Sequence, residues 1–146
     1  MMFKKIVLTT DAHHAKIYSI KGLKITSLIK EFSAPSRQIW NNNTSRDNFY
    51  HKASTQSHFL DPRTKIKEAL ENDFATQISK ELKLLCHRLP YDALIVFAEP
   101  KLMGKLRKHV NRQHIKVKIF WKSQNLCHQN EHEIEKHLLN LNHHKN

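Results

Sequence analysis

Glycine is nearly absent from this chain: Gly22 and Gly104 are the only two among 146 residues. A P-loop and a dinucleotide fingerprint both need several glycines so that the backbone can approach phosphate, so neither is present. Cysteine is equally sparse. Cys86 and Cys127 form no disulfide framework, and although a histidine follows each, the two pairs lie too far apart for zinc-site spacing. Both read as buried free thiols. Neither G-x-S-x-G nor C-x-x-C occurs. No apolar run approaches the roughly 18 residues of a membrane span. The start, MMFKKIVLTT, has an apolar run of only Ile6–Leu8, too short for a signal peptide. No membrane partner is expected, and the cytoplasm is the default location. Acids are also scarce, 13 against 25 lysines and arginines, which gives a net charge of +12 and a pI near 9.9.

That imbalance is the first positive feature. A basic domain of this size favours polyanions, of which nucleic acid is the commonest. The charge is not spread evenly. Residues 91–121 hold seven lysines and arginines against two acids, a net +5, the largest share of any segment. Mean hydropathy is low, −0.64, yet the apolar residues cluster into periodic runs, so a folded domain is expected.

The densest segment, Asp92–Arg112, reads as strand, tight turn and helix. Ala93–Ala98 is a short, continuous apolar run suited to a buried strand. Pro100 fits the first helical turn, where its missing N–H has no partner to lose. Beyond it, Leu102, Met103, Leu106 and Val110 share one side at 100° per residue, and Lys101, Lys105, Lys108 and Arg112 share another. Arg107 lies away from that row, either pairing with an acid or extending the basic surface. Gly104 is expected to admit a close neighbour, and the helix start is expected to offer backbone N–H groups to a phosphate.

Taken in order, Phe3–Thr10, Ala15–Ile20 and Leu23–Ile29 read as three strands of an antiparallel meander, with turns at Asp11–His14 and Lys21-Gly22. Ser33–Thr64 shows no period. It interleaves Arg37, Trp40, Arg46, Tyr50 and Lys52 with asparagine and serine, a composition suited to stacking on bases and touching phosphates in a flexible loop, or to docking back on the core. Thr64–Arg88 reads as a long helix with Ile66, Leu70, Phe74, Ile78, Leu82 and Leu85 inward. Ile115–Trp121 alternates with lysine like a strand near a sheet edge. Lys122–Asn130 reads as a polar loop, and Glu131–Leu141 as a last helix with a frayed tail behind it. The order βββ-α-β-α-β-α predicts one α/β domain over 1–146, a five-stranded mixed sheet with helices packed on its faces. This arrangement resembles RNase H-like folds, a statement about architecture only.

For catalysis, Asp11 and Glu99 end two strands, but two acids without an evident third make a weak metal-dependent nuclease. His13-His14 reads as a solvated turn. His128 and His132 are spaced i, i+4, without an identifiable carboxylate or cysteine partner. No catalytic residue, metal ligand or cofactor is therefore assigned. The candidate binding residues are Lys101, Lys105, Arg107, Lys108 and Arg112 on the helix, with Arg37, Trp40, Arg46, Tyr50 and Lys52 in the loop.

The sequence also resembles a known family, the bacterial host attachment proteins, or proteins required for attachment to host cells. Ile6–Ala12 with Ala15–Tyr18 looks like the family's opening strand pair, and Asp73-Phe74-Ala75 with Ile78 and Leu82 looks like one of its helices. Phe97–Arg107 is similar to its most specific element, and Lys122 onward, with His132-Glu133-Ile134 and Leu138, is similar to its end. The family is similar in fold to the RNase H-like middle domain of archaeal and eukaryotic-type peptide-chain release factors. The resemblance implies a translation-linked role without peptide release, because that chemistry uses a Gly-Gly-Gln tip and this chain has no Gly-Gly. The expectation is a non-enzymatic RNA-binding protein associated with the ribosome as a translation-stress or hibernation-type factor. A host-interaction factor and a metal-dependent nuclease are the alternatives.

Overall fold

A computed structural model describes residues 4–34 and 62–144. Five strands form one sheet: β1 (Lys4–Thr10), β2 (His14–Lys21), β3 (Lys24–Ser33), β4 (Ala93–Ala98) and β5 (Lys118–Lys122). Three helices accompany it: α1 (Pro62–Arg88), α2 (Pro100–Arg112) and α3 (Glu131–His144). The strand order is β3-β2-β1-β4-β5. β2 runs antiparallel to both of its neighbours, while β1 pairs with β4, and β4 with β5, in parallel. This is the RNase H-like arrangement, as the element order predicts.

The burial pattern explains the order. Every residue of β4 is buried, because both of its faces are covered, and a strand buried on both faces is apolar without alternation. On one face, Ile6, Leu8, Leu94 and Val96 pack with Phe74, Ile78 and Leu82 of α1 and Leu102, Leu106 and Val110 of α2. On the other, Val7, Tyr18, Ile95 and Phe97 pack with Ile134 and Leu138 of α3, together with Leu126 from the loop before it. Asp92 fixes the register at the strand start: its amide donates to the Lys4 carbonyl at 2.7 Å and its Oδ2 accepts the Lys4 amide at 2.8 Å. Gly22 takes φ +65 in the β2–β3 turn, the left-handed conformation a tight hairpin requires.

Several boundaries differ from the sequence reading. β3 continues past Ile29 to Ser33, because Lys30 to Ser33 keep pairing with β2 down to His14. β5 starts at Lys118 rather than Ile115; the chain first turns at His114, whose φ is 54. α1 begins at Pro62, two residues early, and α3 runs on to His144, so His143 and His144 belong to the helix and not to a frayed tail. Asn130 Oδ1 accepts the Glu133 amide at 2.9 Å and so caps the start of α3. The loop before α3 is not simply polar, since Leu126 and Cys127 are buried. Most of the 33–64 loop, with Arg37, Trp40, Arg46, Tyr50 and Lys52, lies outside the described residues. Among the described residues no helix is long and apolar enough to cross a membrane.

Candidate functional site

Two groups of residues at the ends and on the outer face of this frame carry chemistry. The first is α2. Its apolar stripe of Leu102, Leu106 and Val110 is sunk into the core, which aims the opposite side outward. Lys101, Lys108 and Arg112 are exposed there. Lys105 is not free: its Nζ lies 3.1 Å from Glu71 Oε1 on α1. The expected row of four cations is therefore three exposed cations and one tied into the helix–helix seam. His109 lies in the same seam, its Nδ1 3.3 Å from Thr76 Oγ1 and its Nε2 3.4 Å from Asn72 Oδ1. Burial, with Arg112 and Lys108 beside it, lowers the His109 pKa from its ordinary 6.5.

Arg107 is exposed, and among the described residues no ion pair ties it to an acid. Its guanidinium sits 5.4 Å from the centroid of the Trp121 ring on β5, a cation–π contact that ties α2 to the sheet edge. Gly104 also departs from expectation: a Cβ there would meet nothing within 4 Å, so no close neighbour requires glycine. At the helix start, the Leu102 and Met103 amides both turn back to the Glu99 carbonyl, at 2.9 and 3.0 Å. They are not presented to a phosphate.

The second group is the turn after β1, at the carboxyl end of the parallel β1–β4 pair. Asp11 is buried, and its Oδ1 accepts the His13 and His14 amides at 2.8 and 2.7 Å, which is how aspartate closes a tight turn. The His14 carbonyl gathers three donors: the Asp11 amide at 3.0 Å, Thr10 Oγ1 at 2.9 Å and Cys127 Sγ at 3.4 Å. The last of these joins the loop before α3 to the turn. It brings His128 Nε2 to 3.1 Å from Asp11 Oδ2, while His14 Nδ1 lies 3.7 Å from Asp11 Oδ1. The two imidazoles meet edge to face, their centroids 5.6 Å apart.

Burial alone would raise the Asp11 carboxyl. The His13 and His14 backbone hydrogen bonds and the charges of His14 and His128 outweigh it, and hold the group below its ordinary 3.8. Cys127 moves the other way: burial, with the Asp11 charge nearby, pushes its thiol up to about 11, so it is a neutral donor. Among the described residues, Asp11, His14 and His128 are the group of three or more whose ligand atoms converge. His128 finds its carboxylate in Asp11 and not through its helical spacing to His132. The apolar pair Leu126-Cys127 inside a polar loop was the one sequence signal that this loop returns to the core.

Residues 6–138 match the family described as "Protein required for attachment to host cells". The chain belongs to that family. A relative of this host attachment chain is an uncharacterized protein of Rickettsia prowazekii (strain Madrid E), 25% identical over 109 residues, which make up 73% of each chain. Among solved structures, the ethanolamine utilization protein EutJ from Carboxydothermus hydrogenoformans matches 85% of this chain and 46% of its own, with a TM-score of 0.48 and 12% identity. A PilM–PilN type IV pilus biogenesis complex matches 92% and 41%, with a TM-score of 0.44 and 10% identity. The archaeal translation termination factor aRF1 matches 97% and 39%, with a TM-score of 0.47 and 13% identity. The host attachment chain thus spans less than half the length of each of these structures.

Proposed function

We propose that this chain is a non-enzymatic RNA-binding protein that docks on the ribosome through the exposed face of α2, as a blocking or hibernation-type factor. The observation that carries the reading is the uncompensated charge of Lys101, Lys108 and Arg112. Four described lysines have acidic partners: Lys16 with Glu31, Lys30 with Glu81, Lys136 with Glu133 and, on α2 itself, Lys105 with Glu71. Among the described residues no such ion pair engages the three outward cations of α2. They lie about one helical turn or more apart along one side, a spacing that suits successive phosphates better than a single small anion. The ribosome is the RNA partner suggested by the family resemblance, since that family is similar in fold to release-factor domains.

Co-sedimentation with purified ribosomes tests this. The protein should pellet with ribosomes at low salt and be released as salt rises, because each phosphate contact frees condensed counterions. Lys101→Glu with Lys108→Glu should weaken pelleting, whereas Lys136→Glu on α3 should not. Absence from the ribosome pellet at low salt refutes the proposal.

A further inference from the structure

The geometry points to a second, independent site: Asp11, His14 and His128 bind a divalent first-row transition cation, zinc being the type that suits the donors. One carboxylate oxygen and two imidazole nitrogens lie within 4.8 Å of one another. A tetrahedral ion with bonds of about 2.0–2.1 Å to nitrogen and oxygen has ligand–ligand edges of about 3.3 Å. The Asp11 Oδ2–His128 Nε2 separation of 3.1 Å is close to that edge, and His14 Nδ1 lies 3.7 Å from the other oxygen of the same carboxylate, Oδ1. Small side-chain rotations are enough to close the set, and two histidines with one carboxylate are a donor combination that first-row divalent ions favour.

The surroundings are those of a supported site. A ligating carboxylate must be held by its neighbours if it is to stay aimed, and Asp11 is held by two backbone amides on Oδ1, which leaves Oδ2 turned toward His128. The His128 loop is anchored by buried Leu126 and by the Cys127 Sγ bond to the His14 carbonyl. The cluster sits at the carboxyl end of parallel strands, where open α/β sheets commonly take ligands. Access is direct: the His14 side chain is 48% exposed and that of His128 70% exposed, against 9% for Asp11. Three protein ligands on a solvent-facing ion leave a coordination position for water or an anionic group.

Titration of the chelator-stripped full chain with Co²⁺, followed by visible absorption and by equilibrium dialysis, tests the site. Saturable binding with the intense bands of low-coordinate cobalt, reversed by Zn²⁺, is expected. His128→Gln, at an exposed position that should not disturb folding, should weaken binding by more than about tenfold, since even outer-shell changes cost 10–100-fold. Asp11→Asn should weaken it while keeping an oxygen for the two amides. A chain of twelve histidines takes up some metal anywhere, so a variant lacking His143 and His144 must retain the saturable signal. If cobalt gives only the weak spectrum of the hydrated ion, or if His128→Gln binds as tightly as the unmodified chain, the group is an Asp11–His128 ion pair only and the proposal is overturned.

Discussion

Thr9 is the residue whose chemistry the fold leaves unanswered. It is fully buried in β1, and its Oγ1 has no hydrogen-bond partner among the described residues. A buried hydroxyl without a partner costs about 1–3 kcal/mol, and removing the unpaired group recovers part of it. Thr9→Val preserves the branched shape and should raise stability by about 1 kcal/mol, read as a higher urea midpoint at unchanged slope. Its neighbour Thr10 shows the contrast, because the Thr10 hydroxyl reaches both the Asp11 and the His14 carbonyls. At this scale the sequence shows little of the Asp11 cluster. Asp11 and His14 are close in the chain, and a turn is legible in them. His128 comes from the far end of the chain, and only the return of its loop onto β1 supplies it.

At the scale of elements, the α1–α2 seam decides which cations are available. Lys105 is paired with Glu71, and His109 is wedged between Asn72, Thr76, Lys108 and Arg112. With its folded pKa below 6.5, His109 stays neutral in the folded chain while the unfolded chain takes up a proton. Its effect is absent well above 6.5. Stability falls as pH drops through 6.5 toward the lower folded value, and becomes constant in this term below it. His109→Gln should therefore flatten the acid limb of stability against pH, as measured by urea unfolding above and below 6.5. An identical pH profile in both proteins would refute this. The β4–α2 unit was legible from sequence because a doubly covered strand is continuously apolar and Pro100 marks the helix start. The end of β3 was not: Lys30, Glu31 and Ser33 are exposed, and an edge strand with polar residues gives no period to follow. Lys105 was misjudged because helical spacing shows which residues share a side, not which acid a second helix brings to that side.

For the whole molecule, the meander, the parallel pair and the helix order were readable because local patterns and topology rules agree. Charge acts at this scale too. A net +12 attracts any polyanion, so affinity alone does not distinguish a binding face from a charged surface. The salt slope does. Replacing Lys101, Lys108 and Arg112 together with alanine should lower the slope of log K against log salt by about 2–3, at roughly 0.7–0.9 for each phosphate contact, in filter binding of RNA across a salt series. Replacing three lysines of other faces should shift affinity without that loss of slope. The ends of the sheet complete the picture. β3 and β5 are its edges, and at β3 the Ile25 amide is already engaged by Glu135 Oε2 of α3 at 2.8 Å. An arriving strand, from a second copy or from another protein, would need to evict that carboxylate before it could add to the sheet there. One glutamate of the last helix thus occupies an edge amide that strand addition would need at that point.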